Sequence, residues 1–331
     1  VEREVADELV GALAADPVAL SVAVLIDLAL GDPVYRAHPV RLIGATIAGT
    51  ERVLRQMGAG GYLGGVALVL AVALLWVTGV SAVVIGSAAI APWIGRVVHV
   101  GFVYSLLALG DLLRHVWRVE VAATAGDVER ARALLGDLVG RDTSALDVAA
   151  CRRAAIESLA ESLTDGFISA LFWYALGGLP GLVLFKVAST LDSAVGYKTP
   201  AYARFGWGGA RLDDLMNYVP ARLTWLFVSA AALVVPGASA RKACMIGAAQ
   251  HAALPSPNSG WSEAAIAGAI SRRLVGPIWM RGALVTEQWI GDPGDPPAGA
   301  RGDIARAMRV VATAALLATA LSVAMLAAMR P

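Results

Sequence analysis

The stretch RRAAIESLAESLTDG (152–166) decides how the rest of the chain is read. Taken as a helix, it spaces Arg153, Glu157, Glu161 and Asp165 four residues apart. Each step of four turns about 400°, so these side chains form a slowly drifting stripe on one face. Three carboxylates and a guanidinium on one stripe can hold a divalent cation or grip a polar substrate. The plainer alternative is a solvated face on which Arg153 pairs with Glu157 for a few tenths of a kcal/mol. Directly after Gly166 comes FISALFWYALGGLPGLVLF, almost wholly apolar. A charged helix that runs straight into a segment fit for a bilayer is the feature to explain.

Composition points the same way. Of 331 residues, 57% are hydrophobic and only 16% charged, against about a quarter charged in ordinary soluble domains. The expected fold class is all-α: a polytopic integral membrane protein with transmembrane or re-entrant helices and amphipathic surface helices. No repeat or flexible linker divides the chain, so residues 1–331 are expected to form a single catalytic domain. A net charge of +1 gives no basic field, and nucleic acid is not expected as a partner. The two cysteines, Cys151 and Cys244, have neither metal spacing nor a disulfide framework. The opening VEREVADELV is acidic, where a cleaved signal peptide calls for a basic start, so none is expected.

Outward from the central stretch, residues 2–16 read as an amphipathic surface helix and Val18–Leu30 as a short apolar one carrying Asp27. The polar loop GDPVYRAHPVRLIG (31–44) follows, then a helix over Leu42–Met57. Tyr62–Gly95 is the longest apolar run, expected as one tilted helix or a hairpin broken near Thr78–Ser81. Val97–Leu113 is a further candidate span, and 114–165 reads as water-facing with an amphipathic helix within AGDVERARALLGDLVGRD. Gly166–Lys186 spans with a break at GGLPG. Residues 187–222 read as a polar, Gly-rich loop, and Leu223–Val235 as short and apolar. Turns at PSPNSG and GDPGDPPAGARGD precede a closing span, Val310–Met329. Arg and Lys occur in every extramembrane stretch, so charge leaves the topology open.

Beside the stripe stand four other polar constellations. STLDSAVGYKTP (189–200) sets Asp192 and Lys198 among hydroxyls, and the lysine suits a phosphate or is an ordinary loop residue. In FGWGGARLDDLMNYVPAR (205–222), Asp213 and Asn217 share a helical face beside Arg211 and Asp214. Carboxylate and amide oxygens suit a hydrated Mg²⁺, whereas helix capping before Pro220 is the plain reading. In SPNSGWSEAAIAGAI (256–270), Asn258, Ser259 or Ser262 can cap a helix, and exposed N–H groups at such an end favour an anion. Asp32, His38 and Arg41 share the first loop. No GxxxxGK[ST], HExxH, GxSxG or CxxC occurs.

These five stretches, in this order and spacing, resemble the adenosylcobinamide-phosphate synthase (CobD/CbiB) family of cobalamin biosynthesis, from Asp27 to about Arg281. GDPVYRAHPVRLIG looks like the family's opening motif and RDTSALDVAACRRAAIESLAESLTDG like its central helix. TLDSAVGYKTPAYARFGWGGARLDDLMNYVPARL is similar to its long polar loop, and SPNSGW to its late turn. The chain departs at Ser162, where Asn is usual, and at Ala170, where Pro is usual.

The resemblance implies a multi-pass enzyme of the cell (cytoplasmic) membrane, in contact with the lipid bilayer. It would join adenosylcobyric acid, a corrinoid, to (R)-1-amino-2-propanol phosphate or ethanolamine phosphate, as a carbon–nitrogen ligase. Amide formation in water needs activation, most simply by ATP with Mg²⁺ shielding the phosphates. Under this reading Glu157, Glu161, Asp165 and Asp192 are the catalytic carboxylates. Glu157, Glu161 and Asp165, with Asp213 or Asp214, would hold Mg²⁺, and Glu161 or Asp192 would take the proton from the attacking ammonium. Substrate binding would fall to His38, Arg41, Lys198, Arg211, Asn217, Arg222, Asn258 and Ser259. The corrinoid ring would rest on Trp261, Trp173 or Trp207, although an interfacial belt residue is the plainer reading of each. A permease with polar residues at mid-membrane, or an Mg²⁺-dependent transferase acting on a lipid phosphate, are the competing readings.

Overall fold

The computed structural model describes residues 11–31, 35, 37–280 and 283–329. Most of the surface helix expected over 2–16, together with Asp32 and Arg281, lies outside them. The chain divides into two compact units, Val1–Ala108 with Ser169–Asn217 and Thr319–Pro331, and Leu109–Ile168 with Tyr218–Ala318.

The first unit begins with α1 (Pro17–Leu30). Asp16 caps it by accepting from the Val18 and Ala19 amides at 2.7 and 2.8 Å, with Pro17 pre-set at the first helical position. Next come α2 (Pro39–Gln56), α3 (Tyr62–Ile90) and α4 (Pro92–Ser105). Of the two forms expected for the longest apolar run, the single helix is found. Thr78 lies within α3, its hydroxyl donating to the Leu74 carbonyl at 2.6 Å in the same helix. Leu68, Val72, Val80 and Val84 make its buried face, while Leu63, Leu70 and Leu74 point outward. At Gly65 a β-carbon would run into the Phe205 carbonyl, so this glycine allows the backbones to approach.

The second unit contains α5 (Leu109–Thr124), α6 (Val128–Gly136) and α7 (Val148–Ser162). A π-helical turn, Leu163–Ile168, ends this part of the chain, and α8 (Ser169–Val195) returns to the first unit. The expected break at GGLPG is found: Gly178 has φ +61°, and the Leu179 amide donates to the Leu13 carbonyl at 3.0 Å. The water-facing reading of 114–165 is corrected at α7, where Cys151, Arg152 and every residue from Ala154 to Ala160 are buried. Arg152 there donates to Glu120 on α5 at 2.7 Å.

The polar loop expected over 187–222 is also corrected, since α8 runs on through Val195, only a short segment around 196–206 is loop, and α9 (Trp207–Val234) takes up the rest. Pro220 lies inside α9, so nothing caps a helix before it. Having no N–H, Pro220 leaves the Met216 carbonyl open, and the Trp173 indole donates to that carbonyl at 2.9 Å. Beyond α9 lie α10 (Ala240–Gln250) and α11 (Ser259–Ile270), packed together, and two small antiparallel pairs. These pair β1 (Leu274–Val275) with β4 (Trp289–Ile290), and β2 (Ile278–Met280) with β3 (Ala283–Thr286). The last helix is α12 (Asp303–Ala328).

Four helical stretches among the described residues are long and apolar enough to cross a membrane: Tyr62–Ile90, Pro92–Thr124, Val148–Val195 and Asp303–Ala328. The architecture is the all-α polytopic membrane fold that composition led one to expect.

Candidate functional site

In the second unit the polar centre grows from α7. Arg153 and Glu157 pair across one turn at 3.9 Å, as the spacing predicts. Glu157 is buried, and both of its oxygens are engaged: Oε1 accepts from the Val275 amide at 2.9 Å and Oε2 from Arg141 Nη2 at 2.5 Å. Arg153 also donates to the Val275 carbonyl at 3.0 Å. Glu157 and its two arginines therefore tie α7 to β1 and to the loop before α7. A carboxylate so saturated has little coordinating capacity left for a metal.

Further along the stripe, Glu161 is exposed and Asp165 half-buried. The π turn, with its i→i+5 bonding, carries Asp165 off the straight line that a continuous α-helix would draw. Facing these acids is Glu263 on α11, a residue that sequence reasoning passed over in favour of the neighbouring cap candidates. Burial pushes its carboxyl well above the ordinary range, and the charges of Glu161, Glu157 and Asp165 add to the effect while Arg141 opposes it. Its signal in the sequence was a lone acid in SGWSEAAIAGAI, where every residue from Ser262 to Ile270 is buried.

Arg222 in this unit lies over the Tyr218 ring at 3.4 Å and the Trp261 ring at 5.0 Å, while Trp261 stacks on His251 at 3.9 Å. Asn258 occupies the cap position of α11 without a side-chain cap bond. The Ser256 hydroxyl lies 3.2 and 3.3 Å from the Asn258 and Ser259 amides and accepts from both, so the capping expected of Asn258, Ser259 or Ser262 falls to Ser256.

A second centre lies in the first unit. Ser169 Oγ donates to Asn217 Oδ1 at 2.5 Å, and Asn217 Nδ2 reaches both oxygens of Asp213 at 3.1 Å. The shared face expected of Asp213 and Asn217 is thus real, and Ser169 and Lys186 join it. Burial pushes the Asp213 carboxyl up to about 7; Asp192 and Asp214 add to this, while Asn217 and Lys186 oppose it. Asp192 is half-buried, and Asp214 pairs with exposed Arg211 at 3.1 Å. Lys198 is exposed in the loop after α8. His38 is buried at the start of α2 with its ring edge-on to Tyr35, and Arg41 is exposed one turn on. Trp207 is 46% exposed and meets Tyr62 edge-on, whereas the Trp173 indole is engaged with Met216.

The set expected to hold Mg²⁺ divides between the units, Glu157, Glu161 and Asp165 in one and Asp213 and Asp214 in the other. Among the described residues no group of three or more His, Cys, Asp or Glu side chains is arranged to hold a metal ion.

Fold and polar centres together define a helical, multi-pass membrane protein with a group of carboxylates in each of its two units. A family described as CobD/Cbib protein matches residues 20–311. A cobalamin biosynthesis protein CobD from Pelobacter propionicus is 44% identical over 279 residues, covering 84% of this chain and 86% of the relative. One of the same name from Klebsiella pneumoniae is 40% identical, covering 91% and 94%. A cobalamin biosynthesis protein CbiB from Salmonella typhi is 39% identical, covering 92% and 95%. No solved structure matches the chain. The chain belongs to the CobD/CbiB family, and its work lies in cobalamin biosynthesis.

Proposed function

We propose that this protein is an adenosylcobinamide-phosphate synthase: it joins the free carboxylate of adenosylcobyric acid to the amine of (R)-1-amino-2-propanol phosphate or ethanolamine phosphate. The observation that supports this most is the family match across 20–311, which takes in both polar centres. Water opposes amide formation, so the carboxylate is activated first, with ATP as the simplest donor and phosphate as the leaving group. Because the described residues hold no group of three or more ligating side chains, no step is assigned to a protein-held ion. Mg²⁺ would be supplied with the nucleotide and would shield its phosphate charge.

The chain's residues supply binding and proton handling. The attacking nitrogen arrives as an ammonium and must become neutral before it can act as a nucleophile. Glu161, exposed among otherwise buried neighbours, is the acceptor best placed to take that proton. Asp213, with its carboxyl near 7, can hold or release a proton at neutral pH. Arg222, fixed between the Tyr218 and Trp261 rings, offers a pre-oriented guanidinium to a phosphate. The membrane is the cytoplasmic one, where ATP is available.

The test is direct. Purified protein in lipid nanodiscs receives adenosylcobyric acid, aminopropanol phosphate, ATP and Mg²⁺, and the corrinoid is weighed by mass spectrometry. Condensation adds the amine's mass less one water and releases a nucleotide product. Glu161→Gln lowers turnover by about 10²–10⁴-fold, the range of general acid–base contributions. Failure of the wild-type protein to form the corrinoid amide overturns the reading, and uptake into vesicles without product would mark a permease.

A further inference from the structure

A cleft of about 640 Å³ opens in the first unit, where α1 and residues 11–16 meet the junction of α3 and α4. Ligand pockets run from about 300 to 1,000 Å³, so the space is ample for a small molecule or a lipid chain. Val18, Val22, Ala89, Pro92 and Val100 give it an apolar wall, and its titratable groups among the described residues are Asp16, Arg96 and His99. Two of these three are engaged within the fold. Asp16 Oδ1 accepts from the Val18 and Ala19 amides, at the positive end of α1, which offsets its charge. His99 is buried; in the neutral ring Nδ1 donates to the Ala12 carbonyl, which can only accept, and Nε2 accepts from the Tyr174 hydroxyl, both at 2.8 Å. Arg96 differs, being exposed and without a hydrogen-bond or ion-pair partner among the described residues.

The level of the cleft along the spanning helices says what can fill it. α3 is long and apolar enough to cross a bilayer and ends at Ile90; α4 opens at Pro92, so Ala89 and Arg96 flank the end of a span. Trp93, 68% exposed, stands one turn before Arg96 on α4. An exposed tryptophan and an arginine one turn apart at such an end mark the boundary between hydrocarbon and headgroups. An apolar wall with a single guanidinium at that boundary matches the two parts of a phospholipid, its acyl chain and its phosphate. Snorkelling of Arg96 into bulk lipid would account for the charge but not for the cleft. We infer that this cleft binds one anionic phospholipid, with an acyl chain against Val22, Ala89 and Val100 and the phosphate on Arg96. A zwitterionic lipid carries its own cation beside the phosphate, so Arg96 favours the lipid of net negative charge.

Native mass spectrometry of the detergent-purified protein, titrated with phosphatidylglycerol or phosphatidylcholine of identical chains, counts the lipids bound. The first phosphatidylglycerol binds about fivefold more tightly than the first phosphatidylcholine, the worth of one basic side chain at an anionic surface. Arg96→Gln removes that preference and Arg96→Lys retains it. Ala89→Trp, at an exposed position on the wall, removes the tight first lipid of either kind. Arg301→Gln, exposed in the second unit, changes neither. Phosphatidylglycerol with a diazirine in its acyl chain labels peptides from 11–22 and 88–100. Should Ala89→Trp fail to fold, Arg96→Gln decides the question alone. Equal affinity of the wild-type protein for the two lipids, an intact preference in Arg96→Gln, an intact tight lipid in folded Ala89→Trp, or labelling absent from both segments overturns the inference. Cross-links between cleft peptides of two copies would place a second copy there and overturn it equally.

Discussion

Asp213 shows how one side chain's surroundings set its chemistry. Burial and the adjacent acids lift its carboxyl from the ordinary 3.8 to about 7. The folded protein therefore holds this proton more tightly than the unfolded chain does. The stability this contributes is whole below about pH 4 and is lost as pH rises through 7, at up to about 1.4 kcal/mol per pH unit. Thermal melts in detergent between about pH 4.5 and pH 8 carry that downward slope, and Asp213→Asn flattens it. A variant with the wild-type slope would show that the group does not titrate there. The Asp213–Asn217 pairing could be read from a spacing of four, since neighbours on one helix face are a local matter. Ser169 and Lys186, far off in sequence, could not.

Among the elements, α8 and α9 accommodate helix breakers in different ways. In α8 the left-handed Gly178 interrupts the ladder, and the Leu13 carbonyl receives the Leu179 amide. A β-carbon at Gly178 would meet that same carbonyl besides straining the backbone. Gly178→Ala therefore destabilises the protein by at least about 1–3 kcal/mol, the cost of holding a side chain at a positive φ with ψ near −155° alone. Gly177→Ala, with nothing within 4 Å of its added carbon, is the matched control, and equal melting temperatures for the two would refute the account. In α9 the helix continues through Pro220, because the Trp173 indole takes the carbonyl that the proline cannot serve. GGLPG was legible as a break, since glycine followed by proline acts through its own backbone. The helical face of Asp213 and Asn217 was legible, but the unbroken course of α9 through Pro220 was hidden, because the Trp173 indole that meets the Met216 carbonyl comes from a distant part of the sequence. The π turn at Leu163–Ile168 was likewise absent from the pattern, which assumes one period throughout.

At the scale of the whole molecule, large side chains such as Leu63, Leu74 and Ile90 lie open on helices long enough to span a bilayer. Such surface is stable only against lipid or detergent. The two cysteines provide a check on the fold as a whole, since Cys244 is exposed and Cys151 buried. A water-soluble maleimide labels only Cys244 in folded protein, and both thiols after denaturation. Labelling of Cys151 in the folded state would contradict the burial of α7.

The amino-acid order by itself determined the all-helical membrane character, the main breaks and the family, because run length, period and motif spacing are properties of neighbouring residues. Only the tertiary structure decided what surrounds each acid. Glu157 is neutralised by Arg141, Arg153 and the Val275 amide, whereas Glu263 is buried opposite Glu161 and Asp165. Charge and burial are set by whatever lies nearby in space, and for Glu157 those neighbours range from Arg153 one turn away to the Val275 amide, 118 residues further along the chain.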